Sequence, residues 1–212
     1  MTISDKGKRL LELYAVMAKD GYRTVDNAWI QQAYNDMEIR AFRDAVKNVF
    51  HRFQVRTLLD YGCGGSNYET AGFAGEQSAK EFFGLDQVYR FEPARNIDER
   101  QQTDAVVCFD VLEHIFVADV GNTIRELFSL ASRLLVVNVA CYSARAQLPN
   151  GENAHVTVRA PLWWKGMFDA IAVEFPEVSI LLICSIGWRQ AQAFDVWSAS
   201  EWLKSPTFVT LK

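Results

Sequence analysis

The sequence predicts an α/β protein with a doubly wound, mostly parallel seven-stranded-type sheet, an antiparallel edge strand and helices at its N-terminus. Short apolar segments recur along the middle of the chain and alternate with segments that repeat apolar residues at helical spacing. The short segments are apolar throughout, which is typical of parallel strands covered by helices on both faces. Alternation of strand and helix indicates βαβ units, which place parallel strands in one sheet.

Residues 1–52 are predicted to form a helical cap or lid, and residues 53–212 the main domain. Apolar residues recur at helical spacing over 4–19 and again over 26–52, with a turn at Gly21 between the two helices. These helices could close over a pocket or simply pack on the sheet, and packing is the simpler expectation. The aromatic residues that would face a pocket are Tyr14, Tyr22, Trp29 and Tyr34.

Buried strands are predicted at four places in the middle of the chain, namely 57–61, 88–92, 105–109 and 134–139. Helices are predicted at 74–83, 110–118, 119–132 and 162–173. Apolar strands at 178–184 and 193–197 are joined by a short link, which favours an antiparallel pair at one edge of the sheet. Residues 140–161 show little periodicity and form a long loop after a strand, a frequent place for functional residues.

Composition and charge argue against several classes of protein. The chain has 212 residues, of which 50% are hydrophobic and 23% charged, an ordinary globular composition. A net charge of −4 argues against a nucleic-acid partner, since phosphate binding needs a basic surface. We expect no signal peptide, because charges run through the N-terminus, and no membrane span, because no apolar stretch approaches ~20 residues.

The cysteines predict the compartment and the absence of a metal site. They are Cys63, Cys108, Cys141 and Cys184, and none of them forms a CxxC pair. This spacing is typical of reduced, buried thiols in a cytoplasmic protein, and it offers no zinc site. We therefore expect a cytoplasmic protein in which no metal is bound.

A glycine-rich turn, Asp60-Tyr61-Gly62-Cys63-Gly64-Gly65-Ser66, follows the strand predicted at 57–61. Glycines allow a tight turn and a close approach of the backbone to a ligand. In a doubly wound sheet, ligands bind at the carboxyl ends of the strands where the strand order reverses, and this loop suits that place. A tight strand-to-helix turn without any ligand remains the alternative interpretation.

The next predicted strand ends in Glu92, whose carboxylate could accept hydrogens from both hydroxyls of a ribose. Glu92 comes 27 residues after Gly65, and an insertion around 66–75 explains why this exceeds the usual ~20. The alternative is a solvated glutamate at a strand end. Asp86 is a competing acid, but it precedes the apolar segment rather than ending it.

A third segment, Asp104 to Ile115, reads DAVVCFDVLEHI and completes a recognisable order of motifs. Together with Leu58 to Gly64 and Phe91-Glu92-Pro93, it resembles the class I S-adenosylmethionine (SAM)-dependent methyltransferases. Their first motif is similar to a DxGxGxG loop, and their fourth strand ends in a segment much like DVLEHI. The resemblance covers about residues 57–139 and is weaker towards the C-terminus.

The resemblance implies SAM as cofactor and S-adenosylhomocysteine as product. It implies that Asp60 lies near the methionine amino group, that the loop runs beside the carboxylate and ribose, and that Glu92 holds the ribose hydroxyls. The residues implied to bind the cofactor are Asp60, Gly62, Cys63, Gly64, Gly65, Glu92, Pro93, Asp110, Val111 and Leu112.

The chain departs from the family pattern at two places. Ser66 stands where the third glycine is expected, so a displacement of the loop by one residue relative to the pattern is expected. Only eleven residues separate Glu92 from Asp104, so the third strand of the sheet is expected to be short or absent. The residues that could contact adenine there are Arg95, Asn96 and Ile97.

Methyl transfer to a hydroxyl is helped by a general base, and the protein must hold the acceptor close to the methyl carbon. His155 is the predicted catalytic base, because imidazole titrates near neutral pH and 140–161 follows a strand end. It could instead be a loop residue bonded to the backbone. His114, Asn153 and Trp163 are the predicted acceptor contacts, although His114 could be structural and one of the two adjacent tryptophans is expected in the core.

Asp110 also has a structural interpretation, because Asp110 and Glu113 fit the capping box of a helix. For the whole chain we expect methyl transfer to a hydroxyl of a small molecule or saccharide. The alternatives are an N-methyltransferase, a non-catalytic SAM-binding module and, on a similar sheet, an NAD-dependent oxidoreductase.

Overall fold

The computed structural model describes residues 3–31, 38–187 and 190–200. Its strands, in chain order, are β1 (Tyr22–Thr24), β2 (Trp29–Ile30), β3 (Thr57–Tyr61), β4 (Gln87–Glu92), β5 (Ile97–Asp98), β6 (Thr103–Phe109), β7 (Ala131–Ala140), β8 (Ala146–Gln147), β9 (Ser179–Gly187) and β10 (Gln190–Ala193). Its α-helices are α1 (Asp5–Asp20), α2 (Arg43–Arg52), α3 (Ala79–Phe83), α4 (Val117–Leu130) and α5 (Pro161–Ala172). Three 3-10 helices span Glu38–Phe42, Pro93–Arg95 and Leu112–His114.

The main sheet confirms the predicted fold class. Its strand order is β10-β9-β7-β6-β3-β4-β5, and β4, β3, β6, β7 and β9 are parallel to one another. The two edge strands, β5 and β10, are antiparallel to their neighbours. From β3 the chain adds β4 on one side and later β6 on the other. The strand order therefore reverses at β3, which makes its carboxyl end the expected ligand position.

Helices cover both faces of this sheet. Consecutive residues of a strand point to opposite faces, so each central strand buries side chains under both layers of helices. On one face, Leu59 and Val106 pack with aromatic residues of α4 and α5. On the other face, Leu58 packs with residues of α2 and α3, including Phe50. These side chains are fully buried, and burial of each stabilises the fold by about 1.5–3 kcal/mol. The continuous apolar strands predicted from the sequence thus owe their composition to two helical layers.

The predicted helix over 26–52 is wrong in its first part. Residues 22–30 form the β1–β2 hairpin, in which Asn27 has a positive φ of 64° and Thr24 is bonded to Ala28. β1 also pairs with β8, a segment more than a hundred residues away, and so becomes part of a small sheet of order β2-β1-β8. Helical spacing of apolar residues was misleading here because Trp29 is exposed rather than packed. In the described part of this range, the 3-10 helix Glu38–Phe42 and α2 are helical, and α2 packs on the main sheet.

Several other boundaries differ from the expectations. The helix predicted at 74–83 is only the single turn of α3, which begins at a capping box formed by Ser78 and Glu81. The segment predicted as a helix over 110–118 contains one 3-10 turn before α4 begins. The last strand within the described residues is β10 rather than 193–197, and Trp197 forms an isolated bridge to Ile180. The antiparallel pair at this edge is confirmed.

No α-helix in the described ranges combines the length and the apolar character that crossing a lipid bilayer requires.

Candidate functional site

A cleft of ≈ 650 Å³ opens at the carboxyl ends of β3, β4 and β6. Residues that directly follow these three strands form its floor, and α1 and α4 form its walls. Its volume lies within the range of small-molecule sites in proteins, which is about 300–1,000 Å³. The cleft is therefore at the position where a doubly wound sheet binds its ligands.

One end of the cleft, which we call the glycine-loop end, consists of Gly62, Gly64, Glu92 and Pro93. Gly62 and Gly64 have positive φ values of 82° and 53°, which side chains rarely tolerate. The Gly62 backbone N–H donates to the Phe91 carbonyl at 2.7 Å, so the loop is joined to the end of β4. A Cβ on Gly62 would also clash with the Val111 side chain. Backbone geometry at this end therefore requires glycine.

Glu92 connects the glycine loop to the turn after β4. One carboxylate oxygen accepts a hydrogen bond from Gly64 N and the other from Ala94 N, both at 3.0 Å. Burial raises the pKa of Glu92, and the two backbone N–H groups oppose that rise. Each carboxylate oxygen can accept more than one hydrogen bond, so Glu92 keeps acceptor capacity toward the cleft. The interpretation as a merely solvated glutamate does not fit this position.

Four of the predicted cofactor residues do not line the cleft. Gly65 is exposed, Cys63 is buried, and Leu112 is wholly buried in the core. Asp60 lies behind the glycine loop, where burial raises the pKa of its carboxyl to about 7. Burial likewise raises the pKa of the Cys63 thiol to about 12. Asp60 and Cys63 thus contribute to the interior of the loop. Of the proposed adenine contacts, Asn96 and Ile97 do line the cleft.

The cleft is acidic. Among its described lining residues, the charged side chains comprise a single guanidinium, that of Arg100, and five carboxyl groups, those of Glu92, Asp98, Asp110, Asp119 and Glu126. Arg100 is itself paired with Asp98 at 2.6 Å and with Glu126 at 2.5 Å. This excess of carboxylates favours a ligand with positive charge over an anionic one.

The opposite end of the cleft is lined by Asp110, His114 and Tyr14. We call these residues, together with His155, which packs on His114 outside the cleft lining, the histidine end. Asp110 directly follows β6 and has a positive φ of 57°, uncommon for a residue other than glycine and frequent at functional sites. The His114 and His155 rings meet edge to face with centroids 4.9 Å apart. His114 Nδ1 lies 2.8 Å from the Ala154 carbonyl oxygen, and His155 Nδ1 lies 2.6 Å from that of Tyr142.

These hydrogen bonds assign the tautomers at the histidine end. A carbonyl oxygen only accepts, so each Nδ1 carries a proton and donates to its carbonyl. Burial lowers the pKa of His114 to about 4, which keeps its ring neutral. His155 thus bonds the backbone through Nδ1, as its structural interpretation predicts, and Nε2 is the ring nitrogen that remains for a role as base.

Glu113 is the residue at this end that the sequence interpretation missed. The capping box with Asp110 is wrong, because the 3-10 helix after β6 has no side-chain cap. Glu113 is instead fully buried, and its Oε1 accepts from Ala140 N at 2.6 Å. Burial first, and then the charge of Asp110, raise its pKa well above the ordinary value. A glutamate in a helical pattern gives no sequence signal for such a position.

Two predicted acceptor contacts have structural roles. The Asn153 side chain accepts from Ala144 N and His155 N and donates to the Ala144 carbonyl, so it fixes the loop that carries His155. Trp163 lies on α5, packs edge to face on buried Trp164 and does not line the cleft. Both side chains are engaged within the protein, and His114 is the predicted acceptor contact that remains in the cleft.

Helix α1 covers the cleft. The N-cap residue of α1, Ser4, donates to Asp119 from both its backbone N–H and its hydroxyl, which attaches α1 to the start of α4. Tyr14, further along α1, lines the cleft and donates to the Ala154 carbonyl at 2.6 Å. Of the other aromatic residues considered for a lid, Trp29 is exposed and Tyr34 lies outside the described residues. The first helix therefore forms a wall of the cleft, while α2 packs on the sheet.

Comparisons with family models, with curated proteins and with solved structures found no match to this chain.

Proposed function

We propose that this protein is a SAM-dependent methyltransferase that acts on a hydroxyl of a small molecule or saccharide. One observation carries the proposal: the glycine loop, Glu92 and the Asp110–His114 segment, which are far apart in the sequence, line one acidic cleft where the strand order reverses. These are the segments on which the resemblance to class I methyltransferases depends.

The charge of the cleft favours SAM over a dinucleotide. SAM carries a sulfonium and an ammonium group, whereas NAD carries a pyrophosphate that requires hydrogen-bond donors and positive charge. Arg100, the one guanidinium in the described lining, is already paired with two carboxylates. A pyrophosphate at the glycine-loop end would lie near Glu92 without a compensating cation, so the oxidoreductase alternative is disfavoured.

The residues of this chain have distinct roles in the proposed function. The Glu92 carboxylate accepts hydrogen bonds from the ribose hydroxyls, and the Gly62–Gly64 backbone lies against the cofactor without a Cβ in the way. SAM supplies a methyl group already activated by the positive sulfur. His155, which packs on His114 beside the cleft, takes the proton from the acceptor hydroxyl, and α1 limits access of water to the cleft.

The test is a calorimetric titration of S-adenosylhomocysteine into the wild-type protein and into Glu92→Ala. We expect micromolar binding by the wild type and at least a tenfold loss in Glu92→Ala, because the variant loses the ribose acceptor and the anchor of the glycine loop. Glu177→Ala, at an exposed glutamate away from the cleft, is the matched control and should bind as the wild type does.

Circular dichroism would verify that each variant is folded. A folded wild-type protein that does not bind S-adenosylhomocysteine would contradict the proposal. Binding of NAD in its place would favour the oxidoreductase.

A further inference from the structure

Three side chains at the histidine end lie close enough together to share a cation. Asp110, His114 and His155 each offer one ligand atom, and these atoms all lie within 4.8 Å of one another. A metal ion with bonds of about 2.1 Å holds neighbouring ligand atoms about 3.0–3.4 Å apart. The three side chains would therefore draw together by less than ~2 Å, a distance that side-chain rotation covers.

The hydrogen bonds around the two histidines are those that metal-bound histidines require. Metal-ligating histidines almost always donate their second ring N–H to a carbonyl or carboxylate, which fixes the tautomer and the orientation of the ring. Both Nδ1 atoms are held in this way, His114 by the Ala154 carbonyl and His155 by the Tyr142 carbonyl. Nε2 is thus the ring nitrogen of each histidine that remains for a metal ion.

An independent observation at the same place is the carboxyl of Glu113. Its side chain is completely buried, and its Oε2 has no hydrogen-bond partner among the described residues. A buried carboxyl oxygen without a partner is costly, and a cation bound by Asp110 would offset that cost through its charge.

We propose that Asp110, His114 and His155 bind a divalent transition-metal ion at the histidine end of the cleft. Two imidazoles and one carboxylate, without a thiolate, suit first-row divalent ions such as Mn²⁺, Fe²⁺, Co²⁺ and Zn²⁺. Three protein ligands leave coordination positions open for water or for a substrate oxygen. The cysteine spacing gave no indication of such a site, because it uses no cysteine.

The role of the metal rests on the proposed function, whereas its binding does not. A metal-bound hydroxyl loses its proton more readily, so the acceptor would become nucleophilic at neutral pH without a protein base. The acceptor oxygen then bonds to the methyl carbon, the carbon–sulfur bond breaks with its electron pair going to sulfur, and the hydroxyl proton passes to water. His155 becomes a metal ligand in this reaction rather than the general base.

The experiment is a titration of Co²⁺ into the protein after treatment with EDTA and removal of the chelator, followed by visible absorption and by calorimetry. We expect saturable binding of one ion per chain, weakened at least tenfold in His155→Ala and in Asp110→Asn. Asp110→Asn preserves the size of the side chain, and asparagine tolerates the positive φ. His51→Ala removes an exposed histidine on α2 and is the matched control, expected to bind Co²⁺ as the wild type does.

Absence of saturable Co²⁺ binding to the folded wild type would overturn the proposal. Binding that persists unchanged in His155→Ala and in Asp110→Asn would also overturn it, since the ion would then lie elsewhere. S-adenosylhomocysteine titrations in EDTA separate this proposal from the methyltransferase. Co²⁺ binding without nucleoside binding would support the metal site alone, and the reverse would support the cofactor site alone.

Discussion

The two ends of the cleft are built in different ways. The glycine-loop end is held by main-chain groups of two neighbouring strands, and its one side-chain anchor, Glu92, bonds to Gly64 and Ala94. The histidine end is held by side chains from three distant segments. Tyr14 and Ala154, which are 140 positions apart, are bonded there, and the His114 ring bonds the same carbonyl from 40 positions away.

This difference explains why backbone conformation leaves a local signature at the glycine-loop end, whereas no sequence motif indicates that His155 meets Asp110 and His114. Main-chain geometry restricts which residues fit, so positive φ at Gly62 and Gly64 leaves a local signature. Contacts between distant segments restrict only which side chains meet after folding. Perturbations at the glycine-loop end should therefore act on the stability of the whole sheet, while those at the histidine end should act locally.

The largest effect is expected from Asp60→Asn. This substitution should change how the free energy of unfolding of the ligand-free protein depends on pH. The folded pKa of about 7 lies above the unfolded value of 3.8, so stability falls as pH rises from about 4 to about 7. The full shift corresponds to roughly 4 kcal/mol. Urea denaturation between pH 4 and pH 8 should show Asp60→Asn gaining stability relative to the wild type across this window. The exposed Asp44→Asn is the control, and equal pH profiles for Asp60→Asn and the wild type would refute the assignment.

A smaller effect is expected from Gly62→Ala, about 2–4 kcal/mol of destabilisation from backbone strain and from the clash with Val111. Adding Val111→Ala should recover part of this loss, because it removes the clash and leaves the strain. A double-mutant cycle in urea denaturation measures the coupling. If Gly62→Ala were as stable as the wild type, the loop conformation described above would be wrong.

The smallest effect is expected from Tyr14→Phe, about 1 kcal/mol, because the hydroxyl loses its short bond to the Ala154 carbonyl and its longer contact with the His114 carbonyl, while the Ala154 carbonyl keeps its bond to the His114 ring. Hydrogen exchange should quicken in α1 and in 144–157 and remain unchanged in β3. Tyr22→Phe, on the neighbouring hairpin, is the control for loss of a hydroxyl. Faster exchange in β3 would show that the two ends are not independent.

The sequence interpretation was accurate where local geometry or burial restricts the residues, and inaccurate where distant segments meet. Apolar segments such as Leu134 to Val139 predicted buried strands correctly, because residues covered on both faces have few alternatives to apolar side chains. The interpretation of Trp29 as part of a helix was wrong, because β1 obtains its second partner from β8, far along the chain. Trp163 was assigned to the cleft from its proximity in sequence to the His155 loop, although α5 carries it to another part of the molecule.

By itself, the sequence determined the parallel core of the sheet, the antiparallel final pair and the glycine loop, because each depends on local composition and backbone conformation. Only the tertiary structure decided that Asp110, His114 and His155 meet beside a buried Glu113, and that α1 covers the cleft. Those arrangements depend on contacts between segments up to 140 positions apart, and neither residue spacing nor hydrophobic pattern encodes which distant side chains will share one volume.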